Sequence, residues 1–255
     1  MNQDLGQLNN WFRANQLSVN ASKTKYMLIK KQQSHEQTTL NLTLNDEDLE
    51  RVQSTKFLGL YIDEHLQWDS HISHCRKKVS SGLYAMNAAK HTLSKEHLKI
   101  LYYTLIHPYL LYGIAVWGNT YKKYLCKLEV LQKKAMRTMT RSVYNEHASP
   151  LFRMVNILKF RDLYDLQING IMFDFVHRNL PTPLLGLFEY HAEGHGLNTR
   201  HRNDPKLPKF QTEVARRSLL YRGPREWMNL DAEIKTATSK KSFKDKFRRL
   251  KMRMY

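Results

Sequence analysis

The sequence predicts an α+β fold that is mostly α: a small antiparallel β-hairpin region, then a helical bundle, then a basic carboxyl-terminal segment. Three observations lead to this class. Short alternations of apolar and polar residues occur only in the first 63 residues. From residue 69 onward, apolar residues recur every three or four positions, as on helices that face a core. From Arg200 to Tyr255, 17 Lys and Arg residues stand against 6 Asp and Glu.

The first element is a short helix whose apolar residues share one face. They are Leu5, Leu8, Trp11 and Phe12. The polar turn "NASKTK" (20–25) separates this helix from the β-rich "KYMLIK" (25–30). Three leucines alternate with polar residues at 40–44 and predict a half-buried strand. After a turn at "NDED" (45–48), "TKFLGLYID" (55–63) is predicted to form the next strand.

Helical periodicity begins after Trp68, and Asp69 can cap the first of these helices. Its apolar stripe has spacings of 3, 4, 4 and 3. The stripe consists of Ile72, Cys75, Val79, Leu83 and Met86. Ser94 can cap a second helix that runs toward His107, where Pro108 interrupts or restarts it.

A third helix is predicted from 121 to 141, with one apolar register along its length. A fourth begins at Ser149–Pro150, breaks, and resumes before ending ahead of Pro181. The segment 181–209 is polar and predicts a linker or a long functional loop. The last helix carries its apolar residues on one side, and these are Phe243, Phe247, Leu250 and Met254.

The net charge of +18 favours a polyanionic partner such as nucleic acid; a solvated basic tail is the alternative. Two cysteines, Cys75 and Cys126, cannot build a disulfide framework, so we expect an intracellular protein, cytoplasmic or nuclear. The stretch 101–117 lacks charged residues, but it is short for a membrane span and contains Pro108. It therefore predicts a broken core helix, and no membrane partner is expected.

No Gly-rich phosphate loop of the Walker or dinucleotide type is present, and no small-molecule cofactor is expected. The residues of "HISHC" (71–75) are predicted to be ordinary helix residues rather than metal ligands. An acidic cluster could serve metal-dependent phosphoryl transfer, but a solvated turn explains it better. The cluster consists of Asp46, Glu47, Asp48 and Glu50.

Several blocks, taken in order, carry a family resemblance. They are "WFRANQLSVNASKTKYMLI" (11–29), "KFLGLYIDEHLQWDSHI" (56–72), "ILYYTLIHPYLLYGIAVWG" (100–118), "LEVLQKKAMR" (128–137), "TRHRND" (199–204) and "RRSLLYRGPREWMNL" (216–230). Together they resemble the carboxyl-terminal portion of reverse transcriptases of non-LTR (LINE-type, jockey-like) retrotransposons. The resemblance covers nearly the whole chain.

The resemblance implies three segments. Residues 1–66 would be a remnant of the polymerase palm with the primer-grip hairpin. Residues 67–180 would be a helical, thumb-like domain, and 181–255 a loop with the basic carboxyl-terminal segment. In the intact polymerase, Mg²⁺ would be the cofactor and an RNA or DNA primer–template the partner. The remaining retrotransposon polypeptide would be a further partner.

The resemblance also assigns site residues. Lys23 would act on the leaving-group side, near the pyrophosphate, and Asn20 would shape its turn. Phe57, Leu58 and Gly59 would form the primer grip, although the family more often has Tyr where Phe57 stands. The helices would offer a basic face to phosphates, or simply a solvated face. That face includes Lys77, Lys78, Lys133, Lys134, Arg137 and Arg141.

The catalytic aspartates of that family lie in motifs that would precede Trp11. Only Asp4 is acidic before Trp11, and no two Asp residues are adjacent anywhere in the sequence. We therefore expect a fragment of the polymerase, such as a truncated element copy or a partial gene product, that is inactive alone. A non-enzymatic nucleic-acid-binding module and a decayed remnant without function are the alternatives.

Overall fold

Most of the chain is helical, as predicted, in the computed structural model, which describes residues 1–30, 40–191 and 204–255. The chain divides into two compact units, Met1–His71 and Ile72–Tyr255. The segment boundaries expected at residues 66 and 180 remain predictions. The block at 199–204, except Asp204, and the centre of the predicted loop at 181–209 lie outside the described residues.

Among the residues that the structure describes, the strands are short and lie in the first unit. They are β1 (Lys25–Tyr26), β2 (Thr43–Leu44), β3 (Glu47–Asp48), β4 (Glu50–Arg51), β5 (Ser54–Phe57) and β6 (Leu60–Asp63). The helices are α1 (Asn2–Ala14), α2 (Asp69–Ala89), α3 (Lys95–Leu105), α4 (His107–Leu111), α5 (Ile114–Trp117), α6 (Lys122–Thr140), α7 (Ala148–Val155), α8 (Phe160–Val176), α9 (Glu213–Arg217), α10 (Leu219–Met228), α11 (Ala232–Lys235) and α12 (Lys240–Met254). In the described ranges, no helix is long and apolar enough to cross a membrane.

The first unit pairs its strands two at a time. β2 and β3 form an antiparallel hairpin, β5 and β6 form another, and β1 pairs with β4 in parallel. Its small core consists of Ala21, Leu44 and Leu49, with Leu5 and Tyr26 packed against it. The prediction of antiparallel pairing is therefore right for two of these three ladders.

Two details of the first unit differ from the prediction. Residues 55–63 form a tight hairpin rather than one strand, because Leu58 and Gly59 both adopt positive φ, at 46° and 84°. The α1 face is only partly covered: Leu5 reaches the core, whereas Leu8 and Trp11 are 53% and 58% exposed. Amphipathic spacing identified the helix but could not show how much of its face is buried.

Asp63 organises the turn that leads into α2. Its carboxylate accepts backbone N–H bonds from His65 and Gln67 at 3.1 and 3.0 Å, and from Trp68 at 2.7 Å. Leu66 and Trp68 both have positive φ in this turn. Asp63 of the block at 56–72 therefore has a structural role in this turn, and the Trp68 side chain is buried.

The second unit buries the stripe that the sequence predicted on α2. Ile72, Cys75, Val79, Leu83 and Met86 are all between 0% and 8% exposed. Ser94 caps α3 as predicted, since its hydroxyl accepts from the His97 N–H at 3.4 Å. Burial raises the pKa of the Cys75 thiol to about 12, so this side chain stays an uncharged core residue.

Gln132 on α6 is a polar junction in the core, 1% exposed. Its amide nitrogen donates to the Tyr102 hydroxyl at 2.9 Å and to the Leu158 carbonyl at 3.0 Å. Its amide oxygen accepts from the Phe160 N–H at 2.7 Å. Both ends of the amide are thus satisfied, which fixes α3, α6 and the start of α8 relative to one another.

Ion pairs and aromatic contacts attach the basic carboxyl-terminal helix to α8. Phe243 and Phe247 of α12 are buried, as their spacing predicted, whereas Met254 is 71% exposed. Lys251 lies 2.8 Å from Asp162 and 3.4 Å from Asp165. Part of the positive charge on α12 is therefore neutralised within the fold.

One predicted helix cap was wrong. The fourth helix, α7, begins at Ala148 rather than at a Ser149 cap, and His147 in the N-cap position makes no side-chain cap bond. The Ser149 hydroxyl instead accepts from Lys159 Nζ at 2.8 Å. The segment predicted as a loop contains a 3-10 helix at Thr182–Leu187. At Ser149, the tertiary hydrogen bond from Lys159 therefore replaces the N-cap bond that the local sequence predicted.

Candidate nucleic-acid interface

The turn around Lys23 is built by Asn20. The Asn20 carboxamide oxygen accepts from the Lys23 N–H at 3.0 Å and from the Ser22 hydroxyl at 2.7 Å. The Thr24 hydroxyl donates to the Asn20 carbonyl at 2.8 Å. Residues 21–23 form a 3-10 turn on which Ala21 points into the core and Lys23 is exposed. Asn20 therefore shapes this turn, and Lys23 extends into solvent from a fixed base.

The β5–β6 hairpin presents an apolar tip. Phe57 is 60% exposed and Leu58 is 73% exposed, and β5 is exposed along its whole length. Leu58 and Gly59 form the two central turn positions, both with positive φ. Leucine is disfavoured there because its Cβ crowds the backbone. An exposed apolar residue in a disfavoured conformation is more typical of a contact site than of a simple turn.

A cavity of about 430 Å³ lies in the second unit between the carboxyl ends of α2 and α6, and we name it the α2–α6 cavity. Its lining is Leu83, Asn87, Lys90, His91, Lys134, Arg137, Thr138, Arg141, Ser142 and Tyr144. Four of these side chains are Lys or Arg, and no carboxylate is among the described residues that line it. Cations without a carboxylate partner in one concavity attract anions.

The two arginines of the α2–α6 cavity are anchored to backbone carbonyls. Arg137 donates from Nε and Nη2 to the Glu146 carbonyl at 3.0 and 2.8 Å. Arg141 donates to the carbonyls of Lys90 and Leu93 at 3.2 and 3.0 Å. Each guanidinium has five N–H groups, so these bonds hold it in place and leave other N–H groups for an anion. The arginines thus also have a structural task.

The structure brings together only half of the predicted basic face. Lys134, Arg137 and Arg141 line the α2–α6 cavity, whereas the other three lysines do not. Asn87 of α2 lines the cavity, and Lys78 lies nine residues before it. On a helix this spacing places Lys78 about 13 Å from Asn87 along the axis and on the opposite side of α2.

Lys133 and Lys77 also lie away from the α2–α6 cavity lining. Burial lowers the pKa of Lys159, Asp162 opposes this shift, and the nearby charge of Lys133 adds to it. Lys133 is therefore close to the start of α8. Lys77 and Lys78 are both exposed on α2, where they form a separate solvated pair.

Sequence reasoning missed six members of the α2–α6 cavity, among them Lys90, His91 and Tyr144. Tyr144 is 81% exposed, and it adds an aromatic ring to the basic lining. Lys90 and His91 follow the last turn of α2, and Tyr144 follows α6. Only the packing of α2 on α6 brings these chain segments together, so no local pattern could have found them.

Comparison with known proteins identifies curated relatives among the polymerases of mobile elements. A probable RNA-directed DNA polymerase from transposon BS of Drosophila melanogaster is 27% identical over 113 residues, covering 43% of this chain and 12% of the relative. The RNA-directed DNA polymerase from mobile element jockey of Drosophila funebris is 29% identical over 102 residues, covering 39% and 11%. The chain is related to transposon RNA-directed DNA polymerases. The Drosophila melanogaster polymerase of jockey agrees, at 25% identity over 124 residues, covering 48% and 14%.

The jockey-like resemblance inferred from the sequence blocks is thus confirmed. The matches span only 11% to 14% of the length of these RNA-directed DNA polymerases. No family model and no solved structure matches the chain.

The acidic cluster at 46–50 is not arranged to hold a pair of Mg²⁺ ions. Glu47 and Asp48 are consecutive and exposed on β3, so their side chains point to opposite faces. Glu50 pairs with Lys25 at 2.7 Å. Over residues 1–30, 40–191 and 204–255, no three His, Cys, Asp or Glu side chains lie close enough together to hold a metal ion.

Proposed function

We propose that this chain holds a primer–template for RNA-directed DNA synthesis. The observation that carries the proposal is the α2–α6 cavity, with four Lys and Arg side chains, no carboxylate among its described lining residues, and an exposed tyrosine. Phosphates suit the cations, and Tyr144 can stack on a base or sugar. The relatives are named as RNA-directed DNA polymerases, which makes an RNA or DNA primer–template the natural ligand.

The primer-grip role of the hairpin is a second part of the proposal. Phe57 and Leu58 would pack on the sugar of the primer end, and Gly59 would let the backbone approach closely. Lys23 would face the leaving pyrophosphate of the incoming nucleotide in the intact polymerase. Mg²⁺ would be bound there by carboxylates other than those of this chain, in the remaining retrotransposon polypeptide.

By itself, the chain is proposed to bind nucleic acid without extending a primer. Metal-dependent nucleotidyl transfer needs carboxylates that converge on the metal ions, and the sequence has no adjacent aspartates. A nucleic-acid-binding module is therefore the second candidate function. A primer-extension assay with Mg²⁺ separates the two, because extension by the pure chain would establish a polymerase.

The phosphate role of the α2–α6 cavity is tested by neutralising Lys90 and Lys134 together. The variant Lys90→Gln/Lys134→Gln removes two charges from the cavity, and the control Lys241→Gln/Lys244→Gln removes two exposed charges from α12. Fluorescence anisotropy with a labelled primer–template gives the dissociation constants. We expect the cavity variant to bind about tenfold more weakly and the control to change less than about twofold. Equal losses in both variants would contradict a localised site.

A further inference from the structure

A second basic cavity lies in the second unit where α9 and α10 meet the amino end of α6. It encloses about 340 Å³, and we name it the α6–α10 cavity. The Asn119 side chain donates to the Arg217 carbonyl at 3.0 Å and fastens the two walls together. One wall includes Arg216, Arg217, Tyr221, Arg222 and Arg225 of the block at 216–230, which contributes no residue to the α2–α6 cavity.

Five cationic side chains line the α6–α10 cavity together with one carboxylate, Glu213. The cations are Lys122, Arg216, Arg217, Arg222 and Arg225. Glu213 pairs with Arg217 at 3.3 Å, and Glu226 pairs with Arg222 at 3.1 Å. Within the part of the chain that the structure describes, the other three cations have no carboxylate partner. Like charges around one cavity repel one another, and a bound anion would relieve this repulsion.

The first turn of α6 adds positive potential to the same place. Lys122 and Lys123 occupy this turn, which contains no acidic residue, and Tyr121 in the N-cap position makes no side-chain cap bond. The amino end of a helix already carries a partial positive charge, so acidic residues are the usual choice there. Lys122 at this end lines the cavity together with the arginines of α9 and α10, and it increases the attraction for an anion.

Aromatic rings and a backbone carbonyl contact three of the arginines of the α6–α10 cavity. The Arg217 guanidinium stacks on the Tyr121 ring at 3.8 Å, and the Arg225 guanidinium lies 6.0 Å from the centre of the Tyr221 ring. Arg216 donates from Nε to the Phe210 carbonyl at 3.2 Å. Tyrosines and arginines interleaved in this way are typical of surfaces that follow a nucleic-acid strand.

We propose that the α6–α10 cavity is a second binding site for the phosphates of a nucleic-acid strand, with Lys122, Arg216 and Arg225 as its anion contacts. The inference rests on the proposed function, because it gives the same ligand class a second point of attachment. Two sites on one chain raise the affinity for a strand long enough to reach both, since the second contact forms within the complex.

The test compares two matched arginine pairs in the full chain. Arg216→Gln/Arg225→Gln removes two positive charges from the α6–α10 cavity. The control, Arg249→Gln/Arg253→Gln, removes two positive charges from α12. All four arginines are exposed, so we expect both variants to fold. Binding of a fluorescein-labelled 20-nucleotide single strand is measured by anisotropy at several salt concentrations. We expect the cavity pair to weaken binding about fivefold to tenfold and to reduce the salt slope by about 1.4. The control pair should change the affinity less than about twofold.

The outcomes separate this inference from the proposed function. If the wild-type chain binds the strand and both pairs leave binding unchanged, the α6–α10 site is overturned and the proposed function stands. If both pairs lose affinity equally, binding is diffuse and the site is again overturned. If the wild-type chain binds a primer–template but not the single strand, the strand assignment alone is overturned; if it binds neither, both proposals fail. Calorimetry with pyrophosphate tests whether the phosphate comes from a small molecule instead of a strand. If the chain binds pyrophosphate more tightly than the strand, and this binding depends on Arg216 and Arg225, the strand assignment is overturned.

Discussion

Leu58 is the residue where local conformation and proposed function meet most directly. Its φ of 46° lies in the left-handed region, which costs a leucine about 1–2 kcal/mol, and its side chain is 73% exposed. Burial therefore contributes little to offset this cost. This strained, exposed tip is what we expect if the hairpin has the primer-contact role that we propose for it.

Replacing Leu58 by asparagine should therefore stabilise the chain. Asparagine tolerates the left-handed region, so we expect Leu58→Asn to raise the free energy of unfolding by about 0.5–1 kcal/mol in urea titrations. Leu17→Asn is the control, because Leu17 is 52% exposed and is not among the residues with positive φ. A gain of the same size in both variants would show that the backbone at Leu58 is not the cause.

Gln132 illustrates the opposite balance, a buried polar residue that stabilises. Gln132→Leu keeps the size of the side chain but removes hydrogen bonds to Tyr102, Leu158 and Phe160. We expect a loss of roughly 2–4 kcal/mol in the free energy of unfolding, because these polar groups stay buried without partners. The exposed control Gln211→Leu should stay within about 0.5 kcal/mol. A Gln132→Leu variant as stable as the wild type would contradict the assigned network.

At the scale of elements, the long periodic helices were predictable and the small ones were not. The α2 stripe from Ile72 to Met86 is set by local spacing alone, so the sequence identified both the helix and its buried face. Local alternation did not predict the β5–β6 turn, because leucine rarely adopts the positive φ found at Leu58; only the family resemblance indicated a hairpin at Phe57–Gly59. Lys90 and Tyr144 could not be assigned to one cavity, since tertiary packing, not sequence distance, brings α2 and α6 together.

The start of α4 gives a pH-dependent contribution to stability. Burial lowers the pKa of His107 from its ordinary 6.5, and the charge of Arg248 lowers it further; the ring lies 5.0 Å from that of Tyr103. His107 of the unfolded chain therefore binds a proton near pH 6.5, whereas His107 of the folded chain binds one only at a lower pH. The stability that neutral His107 provides is complete above pH 6.5 and decreases as the pH falls from there toward the folded pKa.

Thermal melts between about pH 5 and pH 7.5 test this contribution of His107. The melting temperature of the wild type should decrease more steeply on acidification than that of His107→Gln. Parallel curves for the two proteins would show that protonation of His107 is not linked to unfolding.

At the scale of the whole molecule, the charge of +18 is not spread evenly over free surface. Lys251 and Lys240 of α12 pair with carboxylates of α8, so the carboxyl-terminal helix is partly a structural element. Seven cations without a described carboxylate partner line the α2–α6 and α6–α10 cavities, whereas others, such as Lys77 and Lys78, lie on exposed helix faces. Composition predicted a polyanionic partner, but only the fold separates structural charges from those available for binding.

The salt dependence of primer–template binding tests the central claim most directly. If the pure chain grips a primer–template through about 6 phosphates, a plot of log K against log salt concentration should fall with a slope near −5. The measurement is an anisotropy titration with a labelled primer–template at four or more salt concentrations. A slope near that value supports a chain that holds nucleic acid through its phosphates. A flat plot, or no saturable binding at low salt, would contradict that claim.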